Sequence, residues 1–431
     1  MFKNLINAFK TKEVRVKILL TLLLLLVYRI GCFLPIPGLK VDAFVSATNS
    51  NSFLGLLNSI SGGSLSNGAF LALGVSPYIS SSIIVQLLSI AIPSWQRLAK
   101  EGEEGRLKIA KYTRITALIL SIAQAVGIVL AFGDIIDTRA LWAGAPSWII
   151  SMIVAIVLIA GGMFTVWLGE RISDIGVGNG LSLLIFVGIL SSAGSALLNS
   201  FQGISENLSH LWNILIFLVA VLLIFTLIVF VDQAERKVPV QYAKQIKGRK
   251  MYGGQSTNIP IRVNASGVMP IIFASAILTF PQLIMSIFWP NSSAMQWYNT
   301  YMGAGSWPYI VLTALLILFF SYFYAQITFN PDDISKQIQQ NGGFIPGIRP
   351  GKPTADYLRK ISNRVILFGA IFLAFIALVP NLIFKGVSNG DMSLINGFSA
   401  TGLLIIVSVA LEFDKQLEAQ LLMRNYRGFL K

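Results

Sequence analysis

The stretch Trp212-Asn213-Ile214-Leu215-Ile216-Phe217-Leu218-Val219-Ala220-Val221 continues as Leu222-Leu223-Ile224-Phe225-Thr226-Leu227-Ile228-Val229-Phe230-Val231 without a single charge. A helix of about 20 apolar residues crosses the ~30 Å hydrocarbon core of a bilayer. Working outward, nine more segments read the same way: Ile18–Leu34, Ser76–Ile92, Ile115–Phe132, Trp148–Leu168, Leu181–Leu198, Gly267–Trp289, Trp307–Ile327, Val365–Phe384 and Phe398–Leu411. Their apolar positions run continuously rather than alternating, which excludes a membrane β-barrel. Of the 431 residues, 55% are apolar and 12% charged, against roughly 25% charged in soluble domains. The expectation is an all-α polytopic membrane protein with ten transmembrane helices. Pro35 and Pro37, not a small-residue cleavage site, follow the first span, so it reads as a retained helix.

Lys and Arg number 33 against 19 Asp and Glu. Their placement says more than their excess. Twenty-nine of the 33 fall in the N-terminal stretch up to and including Lys17, in loops 94–114, 169–180, 232–266 and 328–364, or after Glu412. Only Lys40, Arg139 and Lys385 fall in the alternate loops, and Arg29 alone lies within a span. The positive-inside rule then puts both termini and the basic loops in the cytosol. The 232–266 and 328–364 loops are long and polar, the form of docking surfaces on a rigid scaffold.

Ten spans divide as five plus five, and an odd number per half implies inverted halves. The second span opens with Gly74-Val75-Ser76-Pro77 and the seventh with Gly267-Val268-Met269-Pro270. Each is the second helix of its half. Proline is tolerated in a first helical turn, and the preceding glycine lets the chain bend into it. Gly74, Pro77, Gly267 and Pro270 are therefore candidate bends of two paired helices beside a central path. Before the second span, Phe53-Leu54-Gly55-Leu56-Leu57-Asn58-Ser59-Ile60-Ser61-Gly62-Gly63 is apolar but too short to cross. It reads either as a re-entrant, plug-like element or as an interfacial helix.

Several chemistries lack their parts. No span contains Asp, Glu or His, which ion-coupled transport needs. The single histidine, His210, lies outside the spans, and the single cysteine, Cys32, has no partner for a disulfide or a thiol cage. No Walker loop, HExxH motif or paired carboxylates occur, so a membrane hydrolase is not expected and no cofactor or metal is implied. Arg29 reads as a structural arginine bonding carbonyls freed near Pro35 and Pro37. Gln86, Gln124 and the span Ser and Thr residues read as interhelical hydrogen-bonding groups or as the lining of a neutral path.

Several stretches together resemble the SecY family, channel subunits of the protein translocon. They are Arg29-Ile30-Gly31 with Pro35-Ile36-Pro37-Gly38, Ala72-Leu73-Gly74 through Pro77-Tyr78-Ile79-Ser80, Lys100-Glu101-Gly102-Glu103 and Trp167-Leu168-Gly169-Glu170. Further along come Gly176-Val177-Gly178-Asn179-Gly180, Gln255-Ser256-Thr257 and Phe344-Ile345-Pro346-Gly347-Ile348-Arg349-Pro350-Gly351.

The resemblance implies two inverted five-helix halves around a central pore closed by a plug. The halves would be 18–198 and 212–411, joined by an outer hinge at 199–211. An amphipathic N-terminus, 1–17, and a tail, 412–431, would be cytosolic. By motif alignment the pore ring would be Ile79, Ile83, Ile185, Ile189, Ile272 and Ile405. Ile79 and Ile272 each follow the proline of the repeated motif by two residues, in agreement with the repeat. The plug would be about 53–67, seated by Leu54, Leu57 and Ile60. A lateral gate would lie between spans two and three and spans seven and eight. Arg249, Lys250 and Arg349 would dock the SecA motor or the ribosome, with ribosomal RNA phosphates as contacts.

SecE-like and SecG-like subunits, secretory preproteins, signal peptides and membrane lipids are the other implied partners. The expected function is a passive, non-enzymatic protein-conducting channel of the bacterial cytoplasmic membrane. Two competitors are a small-solute transporter and a pore-free insertase. Carboxylate-free spans and long basic loops argue against the first, and the plug-like segment against the second.

Overall fold

A computed structural model describes residues 6, 8–37, 39, 58, 61–131, 146–202, 209–242, 245–247, 250–252, 256–264, 267–288, 292–303, 306–387 and 400–428. Among these, the helices are α1 (Lys12–Gly31), α2 (Ser76–Ala91), α3 (Pro93–Lys100), α4 (Glu103–Ala131), α5 (Ser147–Ile175), α6 (Gly180–Gln202) and α7 (Ser209–Asp232). They continue as α8 (Met269–Phe288), α9 (Ser293–Tyr301), α10 (Trp307–Thr328), α11 (Pro331–Gln340), α12 (Lys352–Val387) and α13 (Ala400–Gly428). Among the described residues, the greater part of each apolar segment of the sequence falls on one of these helices. Among the described residues, six helices are long and apolar enough to cross a membrane. Leu19, Leu22, Leu23 and Leu26 of α1, and Leu222, Leu223 and Phe230 of α7, are exposed. Apolar faces this continuous belong against lipid, where a helix satisfies its own backbone.

The chain forms two compact units. The first comprises Met1–Ile214, Leu278–Ser306 and Ser388–Lys431. In it α2 packs on α4, α4 on α5, and α5 on α6 and α1, while α6 also meets α13. Ile36, Leu65, Ala72 and Leu73 share a core with Ala125 and Ile128 of α4 and Val154 and Leu158 of α5. Small residues permit the approach. A Cβ on Gly161 of α5 would stand 1.9 Å from the Phe70 carbonyl oxygen. The turn between α5 and α6 is equally tight, since a Cβ on Gly180 would lie 2.0 Å from the Gly169 carbonyl oxygen.

The second unit comprises Leu215–Ile277 and Trp307–Val387. Here the all-α expectation needs amending, because both long basic loops carry β-structure. Strands β1 (Glu235–Tyr242) and β4 (Ser256–Arg262) pair antiparallel, with Val238 opposite Ile259 and Val240 opposite Thr257. Strand β5 (Gly343–Phe344), from the other loop, pairs with the free edge of β1 through Gln241–Phe344 and Tyr242–Gly343. Strands β2 (Gln245–Lys247) and β3 (Lys250–Tyr252) form a separate hairpin.

Period-two alternation sends Val238 and Val240 inward. They pack with Ile261, with Ile338 of α11, and with Ile345 and Leu358. The start of α11 is fixed by Asn330, whose side-chain oxygen accepts from the Asp332 amide at 3.2 Å. Asp332 and Asp333 in that first turn suit the helix dipole.

Candidate functional site

Helices α2 and α8 begin alike. Gly74 has φ +52° and Gly267 φ +61°, a left-handed backbone that glycine adopts without a Cβ penalty. Each glycine stands two residues before its helix, and Pro77 or Pro270 is the second helical residue. The amides of Tyr78 and Ile79 donate to the Val75 carbonyl at 3.1 and 3.0 Å. Those of Ile271 and Ile272 donate to the Val268 carbonyl at 3.1 and 3.3 Å. The repeated motif thus builds the same helix start twice, and each proline sits where no N–H is needed.

The segment leading into α2, Ser61–Val75, folds back on the end of α1. The Ile36 amide donates to the Gly68 carbonyl and the Phe70 amide to the Leu34 carbonyl, both at 2.8 Å. Within the segment, the Ser64 hydroxyl donates to the Leu71 carbonyl at 3.1 Å, and the Ser66 amide to the Asn58 side-chain oxygen at 2.9 Å. The Tyr28 hydroxyl reaches the Ser61 carbonyl at 3.5 Å.

Arg29 corrects a reading made from the sequence. Among the described residues, its guanidinium does not serve carbonyls beside Pro35 and Pro37. One nitrogen donates to the Gly62 carbonyl at 3.1 Å and another to the Ser191 hydroxyl of α6. The group also lies 5.1 Å from the centre of the Phe33 ring, a cation–π distance. Proximity of Arg29 to Pro35 in sequence suggested local carbonyls. The turn that brings Gly62 back past Arg29 is a long-range feature.

Gly62 has φ +72°, and a Cβ there would lie 2.8 Å from both Arg29 Nη1 and the Gly188 Cα of α6. A Cβ on Gly74 would lie 3.3 Å from the Ser61 Cβ. The Ser61–Gly62 pair therefore touches α6 beside Ile189 and the foot of α2. Leu54, Leu57 and Ile60 lie outside the described residues.

Of the six isoleucines, Ile83, Ile185, Ile189 and Ile405 are buried and Ile79 is half-buried, all in the first unit. Ile79 and Ile83 are one turn apart on α2, and Ile185 and Ile189 on α6, so each pair shares a helix face. Ile405 is on α13, which packs on α6. Ile272 is half-buried and belongs to the second unit.

Arg349 is exposed in the loop between β5 and α12. Its carbonyl accepts from the Thr354 hydroxyl at 2.8 Å, and buried Ile345 anchors the loop into the β-core. Gly347 and Gly351, at φ +82° and +94°, turn the chain on either side of it. Lys250 begins β3, while Arg249 lies outside the described residues. Among the described residues, no cluster of His, Cys, Asp and Glu could hold a metal.

The sequence model of one family, SecY, matches residues 69–413. The chain belongs to the SecY family. It is 41% identical over 450 residues to the protein translocase subunit SecY of Mycobacterium tuberculosis H37Rv, covering 100% of both chains. The SecY subunit of Halalkalibacterium halodurans is 40% identical over 443 residues, again covering 100% of both.

A solved structure described as a protein conducting channel superimposes with TM-score 0.64 at 18% identity, covering 94% of this chain and 91% of that one. Sec61 in a canine ribosome-channel complex gives 0.59 at 16% identity, with the same coverage. At such identity these two likenesses speak for the fold alone.

Other SecY-like motifs now have geometric reasons. The Val177 amide donates to the Thr21 hydroxyl of α1 at 3.1 Å, and Val177 packs with Ala8, Val14, Ile18 and Leu417. Asn179 caps α6 by accepting from the Leu181 amide at 3.2 Å. Glu170 pairs with Arg114 at 2.6 Å. The residues that sequence reasoning missed are Ser191 and Gly188, together with the contact that Gly62 of the plug-like segment makes with Arg29. Their only sequence signal was small size within apolar or glycine-rich runs.

Proposed function

We propose that this SecY-family chain is the protein-conducting channel of a translocase, and that it acts without making or breaking bonds. Secretory preproteins pass through its waist, and signal or transmembrane helices leave sideways into lipid. The observation that carries the reading is the seating of Ser61–Gly62 against α6 beside Ile189 and against the start of α2. A segment held there blocks a path lined by Ile79, Ile83, Ile185, Ile189, Ile272 and Ile405. Aliphatic side chains suit such a waist because they close around any sequence and exclude water when idle.

In this reading the halves are 18–198 and 212–411, hinged at 199–211. The identical starts of α2 and α8 support inverted repeats, with α2 and α8 on opposite sides of a lateral gate. The basic loops face the cytosol of a bacterial cell, as do both termini. Arg349, Lys250 and Arg249 of these loops dock SecA or the ribosome, which supplies the energy. SecE-like and SecG-like subunits complete the complex.

The test is site-specific cross-linking. A photoactivatable residue at Ile83 or Ile272 should capture a secretory precursor stalled in transit. A stalled precursor that contacts neither position would refute the channel path.

A further inference from the structure

Arg29 is the only charged residue within a span, and nothing in the composition accounts for it. A guanidinium has five donors and does not lose its charge. Among the described residues it has no carboxylate partner. It holds two acceptors instead, the Gly62 carbonyl and the Ser191 hydroxyl, with Phe33 alongside. One acceptor is on the segment that would block the path, and the other is on α6, which bears two ring isoleucines. Gly62 fits this cradle because it has no side chain.

We propose that Arg29 is a positioning residue that latches the plug segment to α6 in the idle channel and lets it go when a polypeptide enters. The proposal rests on the channel reading above and deepens it.

The segment has two positions, seated and displaced. Arg29 stays on α1 in both. Seated, its fork spans Gly62 and Ser191 in a part-buried setting, where hydrogen bonds to a charged group are stronger than in open water. Displaced, the segment carries the Gly62 carbonyl away, while Ser191 stays on α6 within reach of Arg29. The bond to Gly62 therefore favours the seated position, by the net worth of one charge-assisted hydrogen bond, and Ser191 keeps the guanidinium aimed at that carbonyl. That is strong enough to keep an idle channel shut and weak enough for a signal helix to overcome. Methionine at this position would leave the Gly62 carbonyl buried without its donor, which disfavours the seated state.

The experiment uses the complete translocase complex reconstituted in vesicles, read by iodide permeability without substrate. Per inserted channel, Arg29→Met should raise idle permeability roughly tenfold, from one lost charge-assisted bond, and Ser191→Ala about threefold, because the guanidinium loses the partner that aims it at Gly62. Arg29→Lys keeps the charge and one bond and should fall between wild type and Arg29→Met. A second readout is built into the chain. Cys32 is its only cysteine, it is 1% exposed, and its sulfur lies 3.9 Å from the Ser61 carbonyl oxygen. A membrane-impermeant maleimide should label Cys32 faster in Arg29→Met, in step with the permeability.

An arginine needed only for folding would lower the amount of inserted protein and leave permeability per channel unchanged, which overturns the latch. Should Arg29→Met not accumulate, Ser191→Ala decides, and wild-type permeability there overturns it too. Deletion of 53–67 separates the two levels. A leaky deletion beside a tight Arg29→Met refutes the latch alone, whereas a tight deletion refutes the plug and the latch with it.

Discussion

Gly74 and Gly267 share a conformation and differ in what surrounds them, and this difference can be tested. Alanine at either position must adopt a left-handed backbone, at a cost of about 1–2 kcal/mol. At Gly267 a Cβ would meet nothing within 4 Å, so that cost is the whole effect. At Gly74 the Cβ would also stand 3.3 Å from the Ser61 Cβ, and Ser61 must shift by a few tenths of an ångström. The two variants should therefore lose similar stability, a factor of roughly 5–30 in the folded ratio.

They should differ in leak. Gly74→Ala pushes on the segment beside Gly62 and should raise idle iodide permeability several-fold, while Gly267→Ala should not. Asparagine tolerates this backbone better than alanine, so Gly267→Asn should recover part of the stability. The assays are thermal unfolding of the purified complex and permeability of reconstituted vesicles. Equal leak from both alanine variants would refute the reasoning, because leak would then follow strain at a helix start rather than pressure on Ser61.

Other expectations concern the ring and the basic loops. Replacing Ile83 and Ile189 together by serine should raise ion leakage during and between translocation events, measured as conductance in planar bilayers; unchanged conductance would remove them from the seal. Arg349→Glu should cut precursor export sharply while the protein inserts at its normal level, because the side chain is exposed and its loop is held by backbone contacts. Ile345→Asp should abolish export by a different route. Its side chain is 3% exposed in the β-core, and an unpaired buried charge there would unfold the element, seen as new protease cleavage between β1 and α12.

Much of the architecture was legible because membranes impose local rules. Twenty apolar residues in a row mean a helix in lipid whatever surrounds them, so the spans could be read one at a time. The motifs at Gly74–Pro77 and Gly267–Pro270 were legible for the same reason. A glycine followed three residues later by a proline dictates how a helix begins without reference to distant residues. Long-range partners were not legible. Strand β5 joins β1 from about a hundred residues away, and the polar composition that marked both loops as docking surfaces did not mark strands within them. Their strand signal was short and diluted by Lys, Gln and Gly.

Arg29 marks the boundary between these kinds of knowledge. The sequence by itself determined that one charge lies within a span and that carboxylates are absent from the spans. It therefore required that Arg29 find neutral acceptors. Only the tertiary structure decided which acceptors, by folding Ser61–Val75 back along α1 and bringing Ser191 of α6 to the same point. The physical reason is general. Burial cost is a property of the residue, but hydrogen-bond partners are a property of the packing. A sequence states which groups must be satisfied, and the fold chooses what satisfies them.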